Sequence, residues 1–232
     1  MRMRTIGMLG GMSWESTAEY YRLANQAVRE RLGGTHSARI VLDSVDFAQI
    51  EAMQEAGDWD AAGRLLAERA RALEAAGADL LVLCTNTMHL VADAIESAVD
   101  IPLLHLVDIT AGAVFRAPLS RVGLLATAFT MEQGFYVERM REHGIDVIVP
   151  DAEDRALVHR VIYEELVVGV VSETSRREYR QVIQRLVDRG AQGIILGCTE
   201  IELLIGADDA PVPVFPTTRL HAQAAVDAAL AD

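Results

Sequence analysis

Residues 190–203, GAQGIILGCTEIEL, set a turn against a continuous apolar run, Gly193-Ile194-Ile195-Leu196-Gly197, which meets Cys198-Thr199-Glu200 where a new apolar period begins. A short apolar run bounded by turn residues predicts a buried strand, and the periodic segment after it predicts a helix. The cysteine therefore lies where strand passes into helix. A helix N-terminus carries unpaired N–H groups and a partial positive charge, so a thiol there is expected to have a lowered pKa and to lie among donors for an anion. A cysteine at a strand end is equally well read as a small buried hydrophobe, and a single occurrence does not separate the two.

The chain repeats the phrase. Residues 77–90, GADLLVLCTNTMHL, run through the same Gly-Ala, the same apolar strand, and then Cys84-Thr85-Asn86-Thr87 at a second helix start. The offset of 113 that carries Gly77 onto Gly190 carries Thr85 onto Cys198 and Cys84 onto Gly197. Residues 5–10 and 121–126 echo each other at an offset of 116, and residues 101–104 and 212–215 at 111. Echoes at nearly one offset, about half the chain, indicate an internal duplication. Strands alternating with helices imply parallel sheets covered on both faces. The expected fold class is thus α/β: two similar parallel-sheet α/β domains related by a pseudo-two-fold duplication, residues 1–115 plus 212–232 and residues 116–211. Ligands of open α/β sheets bind outside the carboxyl ends of the strands, so the active site is expected in the cleft between the domains.

In chain order, residues 4–9 predict a first strand, the Gly10-Gly11 turn leads into a long helix ending near Leu32, and residues 38–45 predict a second strand. Residues 50–55 read as a loop or short helix, residues 58–76 as a helix capped by Gly77, and residues 101–106 as a fourth short strand. Gly7, Gly10 and Gly11 do not fit the G-x-G-x-x-G spacing of a dinucleotide loop.

Composition excludes whole classes of function. All 21 basic residues are Arg, so the chain offers no Lys for a pyridoxal Schiff base or a P-loop; no cofactor is expected. A formal charge of −13 opposes binding to a phosphate backbone, and no apolar run is long enough for a membrane helix. Neither nucleic acid nor membrane is expected as a partner. The two cysteines form no CxxC, and the opening residues lack a signal-peptide pattern, so a reducing cytoplasm is expected. The histidines show no metal-ligand spacing.

The quoted residues resemble a known family. Residues 82–89, VLCTNTMH, and residues 194–200, IILGCTE, look like the two signatures of the aspartate/glutamate racemases, and residues 10–17, GGMSWEST, resemble the aspartate-racemase-like branch. The resemblance runs the length of the chain. It implies a cofactor-independent racemase with one acid/base residue per domain, the Asn-Thr after the first and the Thr after the second holding the substrate. In two-cysteine members the first cysteine stands directly before Asn-Thr. Here Thr85 holds that place and Cys84 is displaced by one, so Cys198 works with either Thr85 or Cys84. The duplication offset selects Thr85.

Inverting a Cα without a pyridoxal sink requires removing Cα–H on one face and returning a proton on the other. Cys198 is the expected principal base. A Thr hydroxyl is a much weaker acid than a thiol, which predicts an asymmetric enzyme. Asn86, Thr87 and Thr199 are candidates for the α-carboxylate, with ordinary helix capping as the plainer alternative. Met12 and Ser13 share that wall, and Thr127 and Thr130 either line the facing one or are ordinary helix caps. Gln54 either reaches the substrate side chain or is a solvated loop residue. His89 either relays a proton for Thr85 or is a buried bracing residue. The expected activity is a racemase for aspartate, glutamate or a broader set of amino acids, working as a homodimer. A maleate-isomerase-like enzyme, a decarboxylase of the same architecture, or a non-catalytic small-molecule-binding protein are the alternatives.

Overall fold

The computed structural model describes residues 3–231. Tertiary contacts divide the chain into two units: one takes the chain up to Leu106 together with the segment from His221, and the other is Val107–Leu220.

The first unit runs β1 (Ile6–Gly10), α1 (Trp14–Leu32), β2 (Ile40–Ser44), α2 (Phe47–Ala56), α3 (Trp59–Ala75), β3 (Leu80–Leu83), a 3₁₀ turn (Thr87–Val91) and α4 (Ala92–Glu96). Its strands are parallel in the order β2-β1-β3. Strand side chains alternate between the two faces. Leu80, Val82 and Cys84 accordingly pack with Tyr20 and Leu23 of α1 and with Ala222 and Val226. Leu81 and Leu83 turn the other way, toward Ile50 of α2 and Leu66 and Ala70 of α3.

The chain continues through α5 (Leu106–Arg116), β4 (Arg121–Ala126), α6 (Ala128–Glu132), α7 (Phe135–Glu142), β5 (Asp146–Ile148), α8 (Ala152–Glu164), α9 (Glu173–Asp188), β6 (Ile194–Gly197), α10 (Ile201–Leu204), β7 (Val214–Pro216) and α11 (Thr217–Leu230). The second sheet is also parallel, in the order β5-β4-β6-β7. Both units are α/β with parallel sheets. The pairing repeats as well as the order: Gly7, Met8 and Leu9 oppose Leu81, Val82 and Leu83, while Gly123, Leu124 and Leu125 oppose Ile194, Ile195 and Leu196. These are the same pairs, shifted by 116 on one strand and 113 on the other. The duplication therefore holds in register.

Several expectations need correcting. Residues 101–106 form no full strand; Leu81 and Leu103 make an isolated bridge, with Leu81 N–H donating to Pro102 O at 2.8 Å and Leu104 N–H to Leu81 O at 2.9 Å. Pro102 has no N–H with which to continue the ladder. Of the two readings of residues 50–55, loop or short helix, the loop is the one set aside: they belong to the ten-residue helix α2, which Asp46 caps by accepting from Ala48 N–H at 3.2 Å. The segment after Thr85-Asn86 opens as a 3₁₀ turn, with α-helix only from Ala92. The domain boundaries fall at 106/107 and 220/221, not at 115/116 and 211/212. Side chains decide this: Asp108 of α5 accepts from Arg139 Nε and Nη2 of α7 at 2.7 Å each, and β7 pairs with β6.

Candidate active site

In the first unit the candidate residues gather at the carboxyl ends of β1 and β3, neighbours that release the chain on the same side of the sheet. After β1 the turn requires glycine. Gly11 has φ +93°, and a Cβ there would lie 2.2 Å from Val45 O and 2.5 Å from Val45 N. Thr17 Oγ1 closes the turn, accepting from Gly11 N–H at 2.8 Å and donating to Ser13 O at 2.9 Å. Met12 and Ser13 are buried in it. After β3 the Thr85 N–H donates to Leu83 O at 2.9 Å, a three-residue turn centred on Cys84. Cys84 keeps the facing of Leu80 and Val82: it is 0% exposed, and burial pushes its thiol far above the usual range. Thr85, one residue on, is half-buried, while Asn86 and Thr87 are buried at the 3₁₀ start. Ser16 Oγ donates to Cys84 O at 3.4 Å and so ties the start of α1 to this turn.

Two first-unit alternatives are decided. Gln54 is buried on α2, its Nε2 donating to Met88 Sδ at 3.0 Å, and is no solvated loop residue. His89 Nε2 accepts from Leu106 N–H at 3.2 Å, which leaves the ring proton on Nδ1, donated to Thr85 O at 2.8 Å. Both ring nitrogens engage backbone, so His89 braces the turn and does not relay a proton to the Thr85 hydroxyl.

In the second unit Thr127 and Thr130 follow β4, and Cys198 and Thr199 follow its neighbour β6. Thr127 caps α6, accepting from Thr130 N–H at 3.4 Å, and the two hydroxyls lie 3.2 Å apart; Thr130 is fully buried. Ala128 N–H donates to His159 Nδ1 at 3.2 Å, which brings the latter half of α8 to the carboxyl end of β4. His159 packs on Tyr163 at 4.6 Å between ring centroids, and burial lowers its pKa. At Gly197 a Cβ would come within 3.0 Å of Ala126 Cβ and Leu124 Cδ1. The next residue, Cys198, is partly buried, and its Sγ–H donates to Glu200 Oε2 at 2.9 Å. The Thr199 and Thr218 hydroxyls meet at 2.8 Å. Among the described residues, no three His, Cys, Asp or Glu are grouped to hold a metal ion, and no helix is long and apolar enough to cross a membrane.

The sequence profile of Asp/Glu/hydantoin racemases matches residues 9–225. The chain belongs to that racemase family. It is 56% identical to a crystal structure of a candidate Asp/Glu racemase from Yersinia pestis, with a TM-score of 0.94 and coverage of 99% of this chain and 100% of that one. An aspartate racemase homologue from Pyrococcus horikoshii is 32% identical, with a TM-score of 0.87 and coverage of 98% and 99%. The broad specificity amino-acid racemase RacX of Bacillus subtilis is 23% identical over 177 residues, 75% of each chain. This racemase is accordingly an isomerase.

One electrostatic expectation is reversed in the racemase. The thiol of Cys198 lies well above its usual range, held there by burial first and then by the charge and hydrogen bond of Glu200. The helix meant to lower it, α10, has four residues, too few to build much of a dipole against a carboxylate in direct contact. Sequence reasoning also passed over Glu200, 7% exposed, and Thr218, fully buried. Glu200 stands inside the quoted motif, and an acidic residue two places after a candidate cysteine is the signal that pointed to it.

Proposed function

We propose that the protein is a cofactor-independent amino-acid racemase in which Cys198 and Thr85 are the acid/base groups serving opposite faces of Cα. The contrast between the two thiols carries this reading. Cys198 is partly exposed and in direct contact with a carboxylate, whereas Cys84 is sealed among Leu80, Val82 and Tyr20. The offset of 113 matches Cys84 with Gly197 and Thr85 with Cys198. Asn86, Thr87 and Thr199, at the two strand ends, supply amide and hydroxyl groups for the α-carboxylate. The absence of Lys from the sequence supports chemistry without a pyridoxal Schiff base. The relatives at 56% and 32% identity support aspartate or glutamate as substrate, and RacX at 23% supports a broader range of amino acids. Homodimeric assembly in the cytoplasm belongs to the same reading; two free thiols support the compartment.

The test is a panel of L- and D-amino acids incubated with the protein in D₂O and followed by NMR of the Cα proton. We expect loss of that signal together with appearance of the opposite enantiomer for at least one amino acid. Full retention of Cα–H across the panel overturns the assignment, and loss of CO₂ in place of inversion points to a decarboxylase.

A further inference from the structure

A base that starts as a protonated, partly buried thiol needs somewhere to put its proton before it can take another. The racemase reading leaves that requirement unmet, and the inference drawn from it rests on that reading. We propose that Glu200 is the proton partner of Cys198, so that the thiol and the carboxylate share one proton and act as a single acid/base pair. Sγ and Oε2 lie 2.9 Å apart, within the reach needed for direct transfer. Glu200 itself is buried, so the transfer takes place away from bulk water. The backbone N–H groups of Glu200 and Ile201 favour the thiolate, so the sulfur anion has donors once its proton moves.

The step balances within the pair. The Sγ–H bond breaks, an Oε2–H bond forms, and the total charge is unchanged. The thiolate then takes the Cα proton, re-forming Sγ–H and leaving the bonding electrons on Cα. The Thr85 hydroxyl protonates that carbanion from the other face. Water afterwards returns a proton to Thr85 and accepts one from the pair.

From α9 the Tyr179 phenol senses the thiol while donating to Val158 O at 2.9 Å, and behind it Glu165 is paired with Arg160 at 3.2 Å. Arg176 holds the end of α10 through Leu204 O and pairs with Asp209 at 3.2 Å. On α10 itself Glu202 is the remaining charge.

The experiment compares Glu200→Gln and Glu200→Asp with the wild-type chain in two readouts. With the singly protonated pair as the active form, wild-type kcat is flat through neutral pH. Glu200→Gln must lose the thiol proton to solvent, so log kcat climbs by about one per pH unit and kcat at pH 7 falls about 100-fold, with KM nearly unchanged. Glu200→Asp recovers part of the loss. Without any substrate, iodoacetamide labelling of Cys198 at pH 7, mapped by mass spectrometry, is slower in Glu200→Gln and climbs with pH, because no carboxylate is left to take the thiol proton. Cys84 remaining unlabelled shows that the core is intact; if it reacts, Glu200→Asp carries the comparison. A Gln variant with wild-type kcat and pH profile, or with Cys198 labelling at pH 7 no slower than wild type, overturns the proposal. Failure of the racemase reading is a separate result, seen as no Cα–H exchange in the wild type. The labelling readout then still judges the pair.

Discussion

At Cys84 and Cys198 one residue type meets two environments, and the difference follows from one step in register. Cys84 continues the facing of Leu80 and Val82 into apolar packing, while Cys198 stands one place further along its strand end, beside Glu200. The consequences for substitution differ accordingly. Cys84→Ala should keep most racemase activity and lose about 1–2 kcal/mol of stability from truncation in a packed core, measured by urea unfolding. Cys198→Ala should abolish Cα–H exchange for both enantiomers while leaving the unfolding midpoint close to wild type. Thr85→Ala should lose inversion and keep deuterium exchange on the Cys198 face alone. An inactive Cys84→Ala beside an active Thr85→Ala would make Cys84 the partner instead. Thr85, Cys198 and the offset between them were legible in the sequence. The direction of the Cys198 shift was not, because a pKa answers to the burial and charge around the sulfur, and those depend on where the Glu200 side chain is turned.

The element that fixes the first strand end is the turn from β1 into α1. Its glycines serve close packing: a Cβ at Gly10 would fall 2.4 Å from Thr17 Cγ2, and one at Gly11 would press on the Val45 backbone. Backbone atoms cannot move aside as a flexible side chain does, and Gly11 also needs its positive φ. Gly11→Ala should therefore cost at least about 1–3 kcal/mol, read as a lowered urea midpoint, and should reduce Cα–H exchange because Met12 and Ser13 shift with the turn. A midpoint unchanged from wild type would show that the turn has room that its geometry denies. The sequence marked a Gly-rich turn here and excluded a dinucleotide loop. What Gly11 approaches is the chain after β2, more than thirty residues on, and no local pattern contains that.

Across the whole chain, the last helix is tied to the first unit by His221. Its Nε2–H donates to Leu104 O at 2.7 Å and its Nδ1 accepts from the Tyr20 hydroxyl at 2.9 Å, with His89 and His105 packed nearby. Burial pushes the His221 pKa down to about 4 from 6.5, so the folded ring is neutral. Below pH 6.5 the unfolded chain takes up a proton that the folded chain refuses. The stability that His221 provides is thus complete above pH 6.5 and lost as the pH falls toward 4, by something of the order of 3 kcal/mol. Urea midpoints of wild type and His221→Gln between pH 7 and 4.5 check this. The wild type should lose more stability on acidification than the variant, and equal slopes would remove His221 from the account.

Taken by itself, the sequence determined the α/β class, the duplication and the matching of Thr85 with Cys198, because these rest on apolar periods and fixed offsets that local chain geometry imposes. Tertiary structure alone decided that Gln54 is buried against Met88, that His89 is bound at both nitrogens by backbone, that β7 and the start of α11 belong with the second unit, and that Glu200 meets the Cys198 thiol. Each of these depends on which atoms meet once the sheets are paired and the helices laid on them. Burial and electrostatics act through space, and the order of residues along the chain does not record distance in space.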